Sequence, residues 1–373
     1  MVEARALNRA TLARQLLLRR ERLDVVGAVR RIVALQAQEP ASPYLALWNR
    51  VAGFDPAELD TAFADHAVVK ATLMRITLHA VVAEDYAAFQ AAMVRSLRAS
   101  RLGDGRFLDT GLSAAEADAL VPHLLEFAAQ PRTVPEIEAV LHRHSGLDEP
   151  HKRVWWALKT YAPVSHAPTG GPWSFGPRAS YVAARHHVPA EREESLRRLV
   201  RRYLEGFGPA SPADIAQFTL LTRRVARETL AALGEEVEQL PGTDLFDVPG
   251  APRPAPDTPA PPRLLAMWDS ILLAYADRSR VIPPEFRKVV IRNNGDVLPT
   301  LLVDGYVAGV WRPAEGGIEA TAFRALSEED WAGLAAEASA LTAFLAGREP
   351  AVYRRYRHWW STLPAADVRR LPG

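Results

Sequence analysis

Between Pro249 and Pro262 the chain carries seven prolines in fourteen residues. No other stretch restricts the fold so strongly. Each proline fixes φ and removes a backbone donor, so the stretch cannot enter a helix interior or a central strand and must run as a stiff, extended linker. It divides the 373 residues into a long N-terminal part and a shorter C-terminal one, within the roughly two to four domains expected from length. With 48% hydrophobic and 24% charged residues the composition is globular. No apolar run approaches the roughly 18 residues that cross a bilayer, and the opening Met-Val-Glu-Ala-Arg is not a secretory pattern. The expectation is a cytoplasmic, monomeric protein without a membrane partner. There are no cysteines, which excludes disulfides, thiolate metal sites, iron–sulfur clusters and a cysteine nucleophile.

Before the linker, one pattern recurs three times. Val25, Val29, Ile32 and Val33 form an apolar helical stripe, Pro43 and Asp55-Pro56 open two further short helices, and residues 67–83 then switch to the β-branched character of a strand pair. Helices followed by a β-ribbon is the order of a winged helix. Thr133-Val-Pro-Glu136 has capping-box spacing, residues 151–161 read as a second helix, and the turn-rich segment around Thr169–Pro172 reads as a second wing. A third unit begins at Ser211, with residues 222–233 in the recognition position. Beyond the linker, Lys288–Arg292, Val297–Val303 and Tyr306–Trp311 read as strands, separated by Asn294-Gly295 and Asp304-Gly305, dipeptides suited to two-residue hairpins. Residues 327–346 form a long helix, and the Arg- and Trp-rich tail from Arg354 either stacks on nucleic acid or packs its rings inward. The fold expected is α+β, mainly α with short β-hairpins. Winged-helix domains span 1–110, 111–195 and 196–260, the last including the linker, and a C-terminal α/β domain spans 261–373.

Net charge is only +1, so a nucleic-acid surface must be local rather than global. Just four of the 45 basic residues, Lys70, Lys152, Lys159 and Lys288, are lysines. Arginine suits bidentate phosphate contact, although a GC-rich coding sequence also inflates arginine together with alanine. Distribution is therefore the better guide. Residues 1–35 hold Arg5, Arg9, Arg14, Arg19, Arg20, Arg22, Arg30 and Arg31 against Glu3, Glu21 and Asp24, a candidate phosphate-facing surface. Further candidate DNA contacts are Arg75, Thr77 and His79, which alternate along the first expected wing, and Lys152 and Arg153 in the second unit. Arg223 and Arg224 in the third unit, and Arg287, Lys288 and Arg312 beyond the linker, complete the set. Either hairpin tip, Asn293-Asn294-Gly295 or Asp304-Gly305-Tyr306, is placed to probe a groove. His142, His144 and His151 lack metal-ligand spacing, so no metal and no cofactor is expected.

Gln36-Ala37-Gln38 stands where the stripe from Val25 would end, so Gln36 is expected at the edge of the core. Spacing alone reads as helix-end glutamines bonding neighbouring carbonyls. Five blocks then change the weight of this motif: ALQAQEPASPYLALWNRV, LMRITLHAVVAEDY, GFGPASPADIAQF, LLAMWDSILLAYADRSRVIPPEF and LLVDGYVAGVWR. Together, and in this order, they resemble the AlkZ-type, YcaQ-related winged-helix DNA glycosylases, the bacterial azinomycin-resistance family. The resemblance implies tandem winged helices around an open, concave channel, an enzyme that removes alkylated purines and unhooks interstrand crosslinks, and a catalytic Gln-x-Gln element at Gln36 and Gln38. Met267-Trp268-Asp269 departs from the family's commoner small residue before its aromatic–aspartate pair.

Breaking the C1′–N bond passes through an oxocarbenium-like state with water arriving at C1′. A glutamine carbonyl can hold that water and place partial negative charge beside the cation, although an amide cannot serve as a general base at neutral pH. Such modest help suits purines alkylated at N7 or N3, which carry a ring charge and leave as neutral bases. Glu39 is the adjacent carboxylate and is expected to face solvent or an arginine. No lysine is expected near the glutamines to form a Schiff base, so a monofunctional glycosylase leaving an intact abasic site is expected. The competing reading is a winged-helix DNA-binding protein without catalysis, such as a transcription regulator.

Overall fold

The computed structural model describes residues 3–184 and 191–373; residues 185–190, part of the second expected winged-helix segment, lie outside the described residues. The helices read from periodicity form where their caps place them. Val25–Ile32 starts at Asp24, whose carboxylate accepts from Gly27 N at 2.8 Å, and Ser42–Trp48 carries Pro43 in its first turn. Val134–Ser145 is opened by the Thr133–Glu136 capping box and Glu328–Ala346 by the Ser327–Asp330 box. Three further long helices, Ala83–Leu102, Ala114–Phe127 and Arg192–Phe207, pack among them.

Strands β1 (Leu35–Gln36), β2 (Val68–Thr72), β3 (Leu78–Val82), β4 (Arg132–Thr133), β5 (Val164–Ala167) and β6 (Ser180–Ala183) form one sheet in the order β1-β3-β2-β5-β6-β4. The ribbons expected as two separate wings are thus neighbours in a single sheet, joined where Lys70 pairs with His166. Strands β7 (Glu238–Gln239) and β8 (Phe246–Asp247) make the small hairpin after the helix Arg223–Leu233. The C-terminal sheet runs β13-β12-β11-β10-β9, built from β9 (Arg263–Leu264), β10 (Thr300–Val303), β11 (Tyr306–Ala314), β12 (Gly317–Ala322) and β13 (Asp367–Pro372). The expected strand at Lys288–Arg292 is instead a single helical turn, Arg287–Val290. Its N-terminal residues extend the turn Pro284–Phe286, and only Ile291 bridges, to Val297, around the Asn294-Gly295 turn.

One apolar core unites residues from both ends of the chain, including Leu12, Ile32, Tyr44, Leu264, Trp311 and Leu341. The other gathers the middle, including Phe89, Leu158, Tyr203 and Phe218. The helix Ala4–Arg14 braces the proline-rich linker. Arg5 Nε donates to Pro256 O at 2.7 Å, Arg9 Nε to Thr258 O at 2.6 Å, and the Arg14 guanidinium pairs with the buried Asp247. A proline-rich strand offers carbonyls with few amide donors of its own, and these arginines supply donors. Arg5, Arg9 and Arg14 of the expected phosphate-facing surface are thus engaged within the protein, whereas Arg22, Arg30 and Arg31 stay exposed. Arg5 and Arg9 also hold Asp304, and Arg20 binds Glu337 at 2.6 Å. The Asp304-Gly305 tip is therefore no groove probe. It forms the two-residue turn of β10–β11 with φ of 51° and 80°, and a Cβ on Gly305 would sit 2.6 Å from Asn8 and Leu12.

Candidate active site

Gln36 does not prolong the helix that precedes it. Val33 turns to φ 74° and ends the helix, after which Leu35 and Gln36 pair with Ala80 and His79 of β3. This short strand is pinned on all sides. Gln15 Nε2 donates to Ile32 O at 3.2 Å and to Gly206 O at 2.9 Å, Ser270 Oγ donates to Ala34 O at 2.9 Å, and Ala37 N donates to Leu78 O at 2.8 Å. The glutamines then diverge. Gln36 is 2% exposed, and its Oε1 accepts from Gln38 N at 2.6 Å while its Nε2 has no partner. It borders a small cavity of about 10 Å³ with Arg50 and Asp269, at the lower limit for one water and far too small for a sugar ring. Gln38 is exposed, and its Oε1 lies 3.5 Å from Leu78 N. Gln36 thus orders the backbone that presents Gln38 to solvent.

His79 lies directly across from Gln36, so the pleat puts both on one face. The histidine is fully buried, its Nδ1 3.1 Å from Thr77 O and its Nε2 unpartnered. Burial and the neighbouring Arg75 push its pKa down to about 3, so it is neutral and meets no solvent. Arg75 and Thr77 do not alternate with it along a strand. They occupy the turn before β3, where Arg75 stacks on Phe218, 4.8 Å from the ring centroid, and Thr77 Oγ1 donates to Met74 O at 3.0 Å.

The opposite face of the sheet carries Lys70, which pairs with Ala80, the partner of Leu35. Its ammonium is buried 4.3 Å from the Phe175 ring centroid, and burial lowers its pKa to about 8, opposed by the charge of Glu39. Folding therefore brings a lysine toward the motif that sequence neighbourhood does not show, but on the face away from Gln36. Glu39 is 15% exposed and faces an arginine, Arg355, and Tyr356 Oη, which donates to it at 2.8 Å. Burial raises its pKa despite these partners. The C-terminal tail, Arg354–Thr362, so turns Tyr356 inward, as the second of its two readings has it, and braces the turn after the motif.

The model of AlkZ-like DNA glycosylases matches residues 29–344, which includes both glutamines and every strand described above from β1 to β12. The chain belongs to the AlkZ-like DNA glycosylase family. The glycosylase is 26% identical over 317 residues to an "Interstrand DNA cross-link repair glycosylase" of Streptomyces sahachiroi, covering 80% of this chain and 84% of that protein. Its fold matches the solved Streptomyces sahachiroi DNA glycosylase AlkZ with a TM-score of 0.77 at 20% identity, over 93% of this chain and 97% of the other.

The remaining candidate DNA contacts of the glycosylase scatter over its surface. Arg31 is exposed and borders a cavity of about 1090 Å³, beside the linker residues Pro249–Pro252. Lys152, Arg153, Arg223 and Arg224 are exposed on their helices, with Arg224 3.1 Å from Glu228. Arg287 and Lys288 line a second cleft. Arg312 is engaged, 2.7 Å from Glu319. Of the two hairpin tips only Asn293-Asn294-Gly295 is exposed. Sequence reasoning missed Arg278, which borders the same cleft as Arg287. No helix among the described residues is long and apolar enough to cross a membrane.

Proposed function

We propose that this glycosylase hydrolyses the N-glycosidic bond of purines made cationic by alkylation at N7 or N3, with Gln36 and Gln38 as its catalytic pair. The observation that carries the reading is the exposed Gln38 carboxamide, fixed through its backbone by the buried Gln36. Gln38 holds the attacking water and steadies the positive charge at C1′, while Gln36 sets its position. A neutral pair of amides gives the leaving base no proton, which restricts the substrate to bases that leave without one. Gln36 itself meets a sugar only if bound DNA opens its surroundings.

The partner is double-stranded DNA, engaged by tandem winged helices around a concave channel, and the enzyme acts as a monomer that leaves an intact abasic site. The name of the Streptomyces sahachiroi relative supports interstrand crosslinks as further substrates. The test is a duplex carrying N7-methylguanine, incubated with the enzyme and then heated in alkali. Strand breaks at the lesion that require the alkali step and exceed those of an enzyme-free control treated alike support the reading, and breaks no more frequent than in that control refute it.

A further inference from the structure

The turn joining β2 to β3 holds a charge that nothing neutralises. Both terminal nitrogens of Arg75 are closed off from solvent, and neither meets an acceptor. Burial depresses its pKa first and the charge of Arg278 depresses it further, and the two guanidiniums are held by consecutive residues of one helix, Arg75 by the ring of Phe218 and Arg278 by the amide of Gln217. The backbone is also held unfavourably, with Arg75 and Ile76 consecutive non-glycine residues in the left-handed region at φ 55° and 58°. Stability does not account for this arrangement, since an apolar side chain of similar volume against Phe218 would avoid the desolvation of an unpaired ion. A cluster of like charges gathered without a counter-ion is what an anionic ligand requires.

Arg278 also borders a cleft of about 720 Å³ with Arg287, Lys288 and Arg292, against Asp277 and Glu285. Asp277 is occupied in capping Ser279 N at 2.9 Å, and Arg292 stacks on Trp359 at 4.3 Å. Arg278, Arg287 and Lys288 make no ion pair among the described residues. With its amide oriented to satisfy both neighbours, Gln217 accepts from Arg278 at 3.0 Å and donates to Leu273 O at 3.1 Å, which steadies the guanidinium at the rim. Three residues along the chain from Arg75, Leu78 N faces the Gln38 carbonyl at 3.5 Å. Arg75 therefore lies in the turn that leads directly into the strand facing Gln38.

We propose that this cleft receives a backbone phosphodiester of the bound DNA, gripped by Arg278 with Arg287 and Lys288, and that the buried charge of Arg75 strengthens the grip from behind. The inference rests on the reading above that the Gln38 side of the enzyme meets DNA. Arg75 touches no phosphate here. Its charge acts through low-dielectric protein, where screening is weak.

The test measures duplex affinity by fluorescence anisotropy across a salt series, together with the melting midpoint of each full-length variant. Arg278→Ala is expected to weaken binding by about three- to tenfold and to reduce the slope of log Kd against log salt by about 0.9, the value of one phosphate contact. Arg75→Met, which keeps the packing on Phe218, is expected to weaken binding by about threefold while raising the melting midpoint, because an unpaired buried ion is removed. An Arg75 that served only the fold would lower the midpoint instead. A lowered midpoint, or affinity indifferent to Arg278, overturns the proposal. Inorganic phosphate added at matched ionic strength separates the two sources of phosphate. Displacement of duplex from the parent but not from Arg278→Ala would mark a free-phosphate site and overturn the DNA assignment, whereas no selective displacement upholds it. Release of N7-methylguanine is scored separately. If the base stays bound to its sugar while Arg278 still governs affinity, only the reaction reading fails; if the base is released but Arg278 is silent, only the phosphate site fails.

Discussion

Gln38 and Gln36 hold opposite positions relative to solvent, and that sets how each responds to truncation. Gln38→Ala removes the exposed carbonyl and is expected to lower kcat by about a hundredfold or more, the scale of losing one oriented transition-state contact. Duplex Kd should stay within a few-fold. Gln36→Ala removes only the acceptor for Gln38 N and is expected to cost less, while the double variant matches Gln38→Ala because both act through one carbonyl. Single-turnover base release measures all three, and a double variant as fast as the parent refutes the site. Lys70 supplies a second residue-scale test. Its burial against Phe175, on the face away from Gln36, predicts that borohydride traps no covalent adduct with abasic DNA. The same burial holds its pKa at about 8, against an ordinary 10.5. Between these values the unfolded chain binds more protons, so Lys70 makes stability rise with pH across that window, and the gain is lost as pH falls through about 8. Urea unfolding of the parent and of Lys70→Met at pH 8 to 9.5 should show a steeper rise in the parent, the variant keeping what the likewise depressed Lys159 contributes; parallel curves would contradict it.

At the scale of elements, the short strand carrying the motif matters more than its periodicity suggests. An apolar stripe spaced i, i+4, i+7 and i+8 extrapolates onto Gln36, but the helix ends at Ile32 because Val33 adopts a positive φ, and no local signal in a β-branched residue announces that turn. The partner that makes Leu35–Gln36 a strand lies more than forty residues away in β3, beyond any window a periodicity reads. Caps behaved differently. The Thr133–Glu136 box was legible because both of its partners lie within four residues. So was the helix-length stripe Leu196, Leu199, Val200, Tyr203, Leu204 and Phe207, a signal present in the sequence that the winged-helix pattern passed over. That helix now matters to the motif, because a Cβ on Gly206 would lie 2.6 Å from Val33 Cγ2 and 3.3 Å from Gln15 Nε2. Gly206→Ala is expected to displace the strand and lower kcat by about ten- to a hundredfold, the scale of a misplacement of about 1 Å, with duplex affinity nearly unchanged. A variant with parental kcat would show that the strand tolerates the shift.

Across the whole molecule, the chain ends are tied together by arginines whose composition invites a nucleic-acid reading. Arg5, Arg9 and Arg14 are indistinguishable by sequence from phosphate ligands, since their acceptors are distant in the chain, in the linker and the β10–β11 turn for Arg5 and Arg9 and at Asp247 of β8 for Arg14. Arg31, Arg287 and Lys288, by contrast, stay without ion-pair partners among the described residues, so the same residue type divides into braces and free cations only once the fold is known. The pair Arg14–Asp247 is the deepest of the braces, with side-chain exposures of 1% and 0% and two contacts at 2.7 and 2.8 Å. Asp247→Ala leaves the Arg14 guanidinium buried and uncompensated, which is expected to cost about 3–5 kcal/mol. The effect cannot be read as the worth of the pair, because most of it is the desolvation of the abandoned ion. Replacing both residues, Arg14→Met with Asp247→Leu, should therefore recover most of the loss, while Arg14→Met alone strands the carboxylate beside Arg253, 3.5 Å away, and falls between. Equilibrium urea unfolding of the four proteins distinguishes the cases. If the double variant is as unstable as Asp247→Ala, the brace is a specific ionic lock between the first helix and the β7–β8 hairpin rather than a filled volume, and the accounting of buried charge given for it is wrong.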